Sequence, residues 1–134
     1  MNPVVARAVE HFRERQEERF EAVVPEWGDG DEPLVLYATP MTMAERRKIQ
    51  NINRTASGRI DTFGVTCDIV ITKAEDVHGK KVFTRKDKPW FLNKIDPKVT
   101  ARVADELLGG EEVEPDDDAG LPDLDAGIDD AGKD

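Results

Sequence analysis

Cysteine is almost missing from this sequence: Cys67 stands alone. No intrachain disulfide and no cysteine-based metal site can therefore form, which fits a reducing compartment. Long apolar runs are missing too. Nothing approaches the roughly 18 residues that a membrane span needs, and no signal peptide with an apolar centre is present. The expectation is a soluble intracellular protein. Also missing are a glycine-rich phosphate loop of the Walker or dinucleotide type and any paired nucleophile and base. The two histidines, His11 and His78, fall in a charged segment and in a turn, contexts that suit surface residues rather than general bases. Cys67 lies on an apolar face, where cysteine behaves as a small buried hydrophobe. No enzyme activity, cofactor or metal is expected.

An excess of positive charge is likewise absent, and the negative charge is unevenly placed. The chain carries 29 acidic and 19 basic residues, and 11 of the acidic ones fall from Glu111 onward, against Lys133 as the one basic residue there. The first 110 residues are balanced, at 18 of each sign. A net-acidic chain is a poor partner for nucleic-acid backbone, which demands a basic surface. The run Asp116-Asp117-Asp118 with its later aspartates lacks the glycine and glutamate of a calcium loop. Its low hydrophobicity and repeated Pro and Gly predict a disordered acidic tail over 111–134, dispensable for folding, because ordering costs about 1–2 kcal/mol per residue.

The remainder divides into a charged N-terminal helix over 1–19 and an α+β domain over 20–110. Val5, Val9 and Phe12 line up on the first helix, with Phe20 further along, but Gln16 interrupts the stripe. Such a helix either lies solvated on the body or acts as an arm buried against another subunit. Glu21–Trp27 and Leu34–Thr39 read as strands of a hairpin, with Pro25 marking an edge or an end. Thr42 and Glu45 have the spacing of a capping box, opening a helix to about Asn53 with Ile49 and Ile52 facing inward. Residues 60–74 fit two patterns. Ile60, Phe63, Gly64, Cys67, Val70, Ile71 and Ala74 follow a helical period, whereas Val65, Cys67, Ile69 and Ile71 alternate with Thr66, Asp68 and Thr72 as a strand would. Asp76–Gly79 reads as a turn and Lys80–Phe83 as a short extended piece. Pro89 places the next helix start near Lys88. Asp96-Pro97 starts a last helix with Val99, Val103 and Leu107 on one face, which Gly109-Gly110 stops.

Two blocks resemble a known family. Val24-Pro-Glu-Trp27 leads through an acidic turn to Leu34-Val-Leu-Tyr-Ala-Thr-Pro-Met-Thr-Met-Ala-Glu-Arg-Arg47, and Asp76-Val-His-Gly79 leads through Lys-Lys-Val-Phe83 to Thr84-Arg-Lys-Asp87. In order and spacing these resemble the tail assembly chaperones of long-tailed phages, over roughly residues 20–108. The resemblance favours helix for 60–74. It implies a small, mainly helical α+β protein that binds the tape measure protein in the host cytoplasm, shields its apolar helices, and leaves before the virion is complete. It also implies a minority product extended by a −1 frameshift, whose added segment engages the tail tube protein. Gly132-Lys133 permits the slippery run G-G-G-A-A-A-G, so these two residues mark the candidate frameshift position. Self-association into a homo-oligomer is left open.

Phe12, Trp27, Trp90 and Phe91 are the candidate partner-binding residues. For the two tryptophans the first expectation is core anchoring, of the hairpin and of the 88–94 helix, with interface contact as the alternative. A competing reading of the whole chain is an acidic DNA-mimic inhibitor of a nucleic-acid-binding protein. It is disfavoured because the acidic residues crowd one Gly/Pro-containing segment rather than a rigid surface.

Overall fold

The computed structural model describes residues 1–110; the acidic segment, with Gly132 and Lys133, lies outside the described residues. The described chain is α+β. In order it comprises α1 (Pro3–Gln16), β1 (Phe20–Asp29), β2 (Glu32–Ala38), α2 (Met43–Ile52), α3 (Thr62–Lys73), a 3-10 turn (Arg85–Asp87), α4 (Lys88–Lys94) and α5 (Pro97–Leu107).

Asn2 starts α1 by accepting a hydrogen bond from the Val4 amide at 2.7 Å, with Pro3 as the first helical residue. The helix stops at Gln16 rather than running on to Phe20. Phe20 instead opens β1 opposite Ala38, because strand pairing there satisfies backbone groups that a further helical turn would leave at a frayed end. No residue of α1 is buried.

The hairpin buries Ala22 and Val24 from one strand and Leu36 and Ala38 from the other. Both strands are longer than the composition predicts, and the loop shrinks to Gly30 and Asp31. Pro25 does not end its strand. The register shifts between Val24 and Asp29, so a bulge absorbs the missing donor and pairing resumes at Asp29–Glu32.

Both halves of the capping box open α2: the Glu45 amide donates to Thr42 Oγ1 at 3.0 Å, and the Thr42 amide donates to Glu45 Oε1 at 2.9 Å. Ile49 is buried as expected. Ile52 is not, and remains 50% exposed. The helix closes at Ile52, and the next residue, Asn53, turns its side chain inward instead.

Residues 62–73 are helical, which resolves the double pattern. Gly64, Cys67, Asp68, Ile69, Val70, Ile71 and Lys73 are all buried, so α3 is a central helix covered on most sides. A helix covered nearly all round has no clean polar face, which explains why neither period dominated its sequence. Phe63, on the helical stripe, is the exception at 72% exposure.

Beyond α3 the chain turns at Asp76, whose carboxylate accepts from the amides of His78 and Lys80 at 2.8 and 3.0 Å. The extended piece that follows forms only isolated bridges, Glu75–Lys81 beside Tyr37–Glu75. Asp87 accepts from the Thr84 amide at 2.9 Å, and α4 begins at Lys88 with Pro89 in its first turn, where the missing amide is harmless. Asp96 caps α5 through the Lys98 amide at 2.9 Å. Val99, Val103 and Leu107 then pack inward, and Gly109 and Gly110, both at positive φ, end the helix.

Candidate functional site

An apolar groove lies where the first turns of α3, the end of α4 and the start of α5 converge. It encloses about 400 Å³ and is walled by Phe63, Leu92, Ile95 and Ala101, with Cys67 and Phe91 at its base. Phe63 and Leu92 are 72% and 48% exposed. Thr62, Thr66 and Thr100 are the polar members of the wall, and no carboxylate, lysine or arginine lines it.

The base of the groove is fixed by an aromatic cluster. Phe91 packs edge-on against Phe83 with ring centres 5.1 Å apart and against Trp27 at 5.9 Å, and Trp27 meets Phe83 at 6.4 Å. Edge-to-face contacts of this kind add about 0.5–1.5 kcal/mol each beyond simple burial.

The walls are held in place by a buried ionic network that local sequence reading did not find. Asp68 in α3 is completely buried. Lys88, at the start of α4, donates to Asp68 Oδ2 at 2.9 Å and to Asn53 Oδ1 at 2.9 Å. Asn53 Nδ2 donates to the same Asp68 oxygen at 2.7 Å and to the Ile49 carbonyl at 2.8 Å. Arg85 holds the other carboxylate oxygen, Oδ1. Burial alone would raise the Asp68 pKa, but the hydrogen bonds from Lys88, Asn53 and Arg85 and the charge of Lys88 outweigh it and hold the group below the usual aspartate value. One carboxylate thus ties α3 to the end of α2, to the 3-10 turn and to α4. Gly64 makes this possible, since a β-carbon there would lie 2.0 Å from Asn53 Oδ1.

A second buried charge, Lys73, lies at the far end of α3, 3.3 Å from Glu45 and 3.3 Å from the Thr39 hydroxyl. It ties the capping box of α2 to the end of the hairpin. On the surface, Arg102 of α5 clasps Glu26 of β1 through two 2.8 Å hydrogen bonds. The guanidinium bonds pull the Glu26 carboxyl down to about 2. Arg19 spans from the hairpin to the turn, donating to the Val77 carbonyl at 2.8 Å while its guanidinium sits 4.5 Å above the Tyr37 ring.

The four candidate partner-binding residues separate. Trp27 is partly buried in the aromatic cluster, and Phe91, only 4% exposed, is the floor of the groove. Trp90 does not anchor the core as first expected. It is 61% exposed on α4, and its neighbour Phe91 takes the inward position. Phe12 lies on α1, beside a shallow pocket that Phe20, Met41 and Leu108 share. Phe63 and Leu92, the most accessible apolar groups of the groove, were not singled out by sequence. Burial and the neighbouring Asp68 charge push the Cys67 thiol above its ordinary value, which favours its protonated form at the base of the groove. The groove can hold apolar side chains; it carries no acid–base pair.

No helix among the described residues is long and apolar enough to cross a membrane. The chain matches no family model, no curated protein and no solved structure.

Proposed function

We propose that this chain is a tail assembly chaperone of a long-tailed phage, which binds the tape measure protein in the host cytoplasm and is not retained in the finished virion. The observation that supports the reading best is the open, uncharged groove with Phe63 and Leu92 exposed at its rim. A very long helical protein displays apolar stripes before the tail tube encloses it, and such stripes aggregate unless covered. A groove of this kind takes the side chains that recur every three or four residues along one face of a helix, the helix-in-groove mode of recognition. Trp90 is exposed on the same short helix but is not part of the groove wall. The network at Asp68 keeps α3 and α4 at fixed separation, so little order is lost when a partner helix seats.

The chaperone is the majority product in this reading, and an extended form, made by a frameshift at Gly132-Lys133, carries a segment that reaches the tail tube protein. The experiment is co-expression with a tape measure protein, whose gene this reading expects just downstream. The partner should become soluble and co-purify with several copies of the chain, and Phe63→Ser with Leu92→Ser should abolish that effect without unfolding the protein. Solubilisation by the double variant equal to that by the unaltered chain removes the groove from the account. An insoluble partner in both cases removes the chaperone reading.

A further inference from the structure

We propose that α2 and the turn after it form a docking face for the chain's own acidic segment beginning at Glu111. Between Pro40 and Ile60 the chain carries Arg46, Arg47, Lys48, Arg54 and Arg59, and its one acid there, Glu45, is already engaged by Lys73. All five cations are exposed. None of them forms an ion pair among the described residues, although Arg54 donates to the Gly58 carbonyl at 2.8 Å. In a body balanced at 18 charges of each sign, this stretch concentrates exposed positive charge. It also presents apolar surface: Met43 is 89% and Ile52 50% exposed, and Ile52 lines a shallow groove with Ala44, Arg47 and Lys48.

The position at which the described chain ends selects the occupant. Gly109 lies against the Phe20 ring, where an added β-carbon would stand 3.3 Å from the ring edge. The Arg15 guanidinium lies over that same ring at 5.9 Å. Leu108 and Arg46 line one pocket with Phe20 and Arg15. The described chain therefore ends near Arg15 and Arg46, at one end of this positive stretch. Its first eight residues, Glu111-Glu-Val-Glu-Pro-Asp-Asp-Asp118, include six carboxylates. Extended, eight residues reach about 26–29 Å. The ten residues of α2 span only about 15 Å, so the segment can follow the whole helix. Tethering makes the encounter intramolecular, which gives this segment an advantage over any free polyanion of similar charge.

The test compares amide spectra of the full chain with those of a full-length variant carrying Glu111→Gln, Glu112→Gln, Glu114→Gln, Asp116→Asn, Asp117→Asn and Asp118→Asn. At low salt the differences should centre on Arg46, Arg47, Lys48, Arg54 and Arg59, outside the substituted stretch. They should vanish near 1 M salt, where screening confines charge interactions to about 3 Å. A second full-length variant, Arg46→Ser with Arg47→Ser and Lys48→Ser, should shift the amides of residues 111–118 toward their values in high salt. Differences confined to the substituted residues and their neighbours would overturn the proposal. So would differences centred on another face, or binding of a duplex oligonucleotide to α2 that is equally strong in the full chain and in the six-site variant.

Discussion

The side-chain amide of Asn53 meets the carboxylate of Asp68 at 2.7 Å, across 15 residues of chain, at the junction of α2, α3 and α4. Lys88 completes the triangle by donating to both residues at 2.9 Å. The apolar groove is therefore braced by polar contacts: α3 and α4 form two of its walls, and Asp68 holds them together.

Removing the carboxylate should be costly. Asp68→Ala leaves Lys88, which is four-fifths buried, without its counter-charge, and breaking a buried pair on one side costs about 3–5 kcal/mol. Urea unfolding measures this directly; a loss below about 1 kcal/mol would mean that the network contributes little. The pH dependence has a definite sign. A folded-state pKa held below the ordinary aspartate value of about 3.9 stabilises the fold fully above that value, and the contribution disappears as pH falls through the folded-state pKa. Acid unfolding should therefore begin at higher pH in a variant lacking Lys88, such as Lys88→Met, than in the unaltered chain.

Gly64→Ala tests the same junction by shape alone. The new methyl would fall 2.0 Å from Asn53 Oδ1, so Asn53 must move and its bonds to Asp68 and Lys88 must lengthen. The expected cost is about 1–3 kcal/mol, in the range of an overpacked core. Thermal melting of this variant beside Ala56→Gly, at an exposed loop position, separates the clash from generic backbone effects.

The Glu26–Arg102 clasp predicts a titration. The carboxyl of Glu26 should titrate at about 2, because both of its oxygens accept from one guanidinium. In Arg102→Ala it should return to the ordinary glutamate range of about 4.3. Carbon-detected NMR of the carboxyl group follows both; an unchanged value in the variant would assign the shift to a different cause.

Much of the fold was legible because its signals are local. Thr42 with Glu45 and Asp96 with Pro97 act within one helical turn, and Gly109-Gly110 can stop a helix without reference to the rest of the molecule. Residues 60–74 were ambiguous for a physical reason: α3 is surrounded, so its sequence has no polar stripe. Asp68 stood in the alternating pattern as an outward-facing residue, whereas it is the centre of the molecule's polar network. Its partners Asn53, Arg85 and Lys88 are 15, 17 and 20 residues away, and no short-range pattern reports such a meeting. The inward roles expected of Ile52 and Trp90 failed alike. Adjacent residues point about 100° apart around a helix, so Phe91 took the inward position within α4, and Asn53 took it just past the end of α2. The groove depends on three elements converging, which is why the sequence set Phe63 only on an apolar helical stripe and gave Leu92 no role.

Phe63→Ser and Trp90→Ser should leave stability almost unchanged, within about 0.5 kcal/mol, since both side chains are mostly exposed. Phe91→Ala, in contrast, should lose about 3–5 kcal/mol, as expected for a large buried aromatic. Chemical denaturation of the three variants side by side checks the contrast; equal losses would mean that Phe63 or Trp90 is a core residue in solution.

Hydrogen–deuterium exchange on the chain mixed with a tape measure protein tests the proposed groove binding. The account predicts slowed exchange in Thr62–Cys67, Lys88–Ile95 and the first turn of α5, the three borders of the groove, relative to the chain alone. Protection confined to other surfaces, or a partner that neither co-purifies nor changes exchange anywhere, would contradict it.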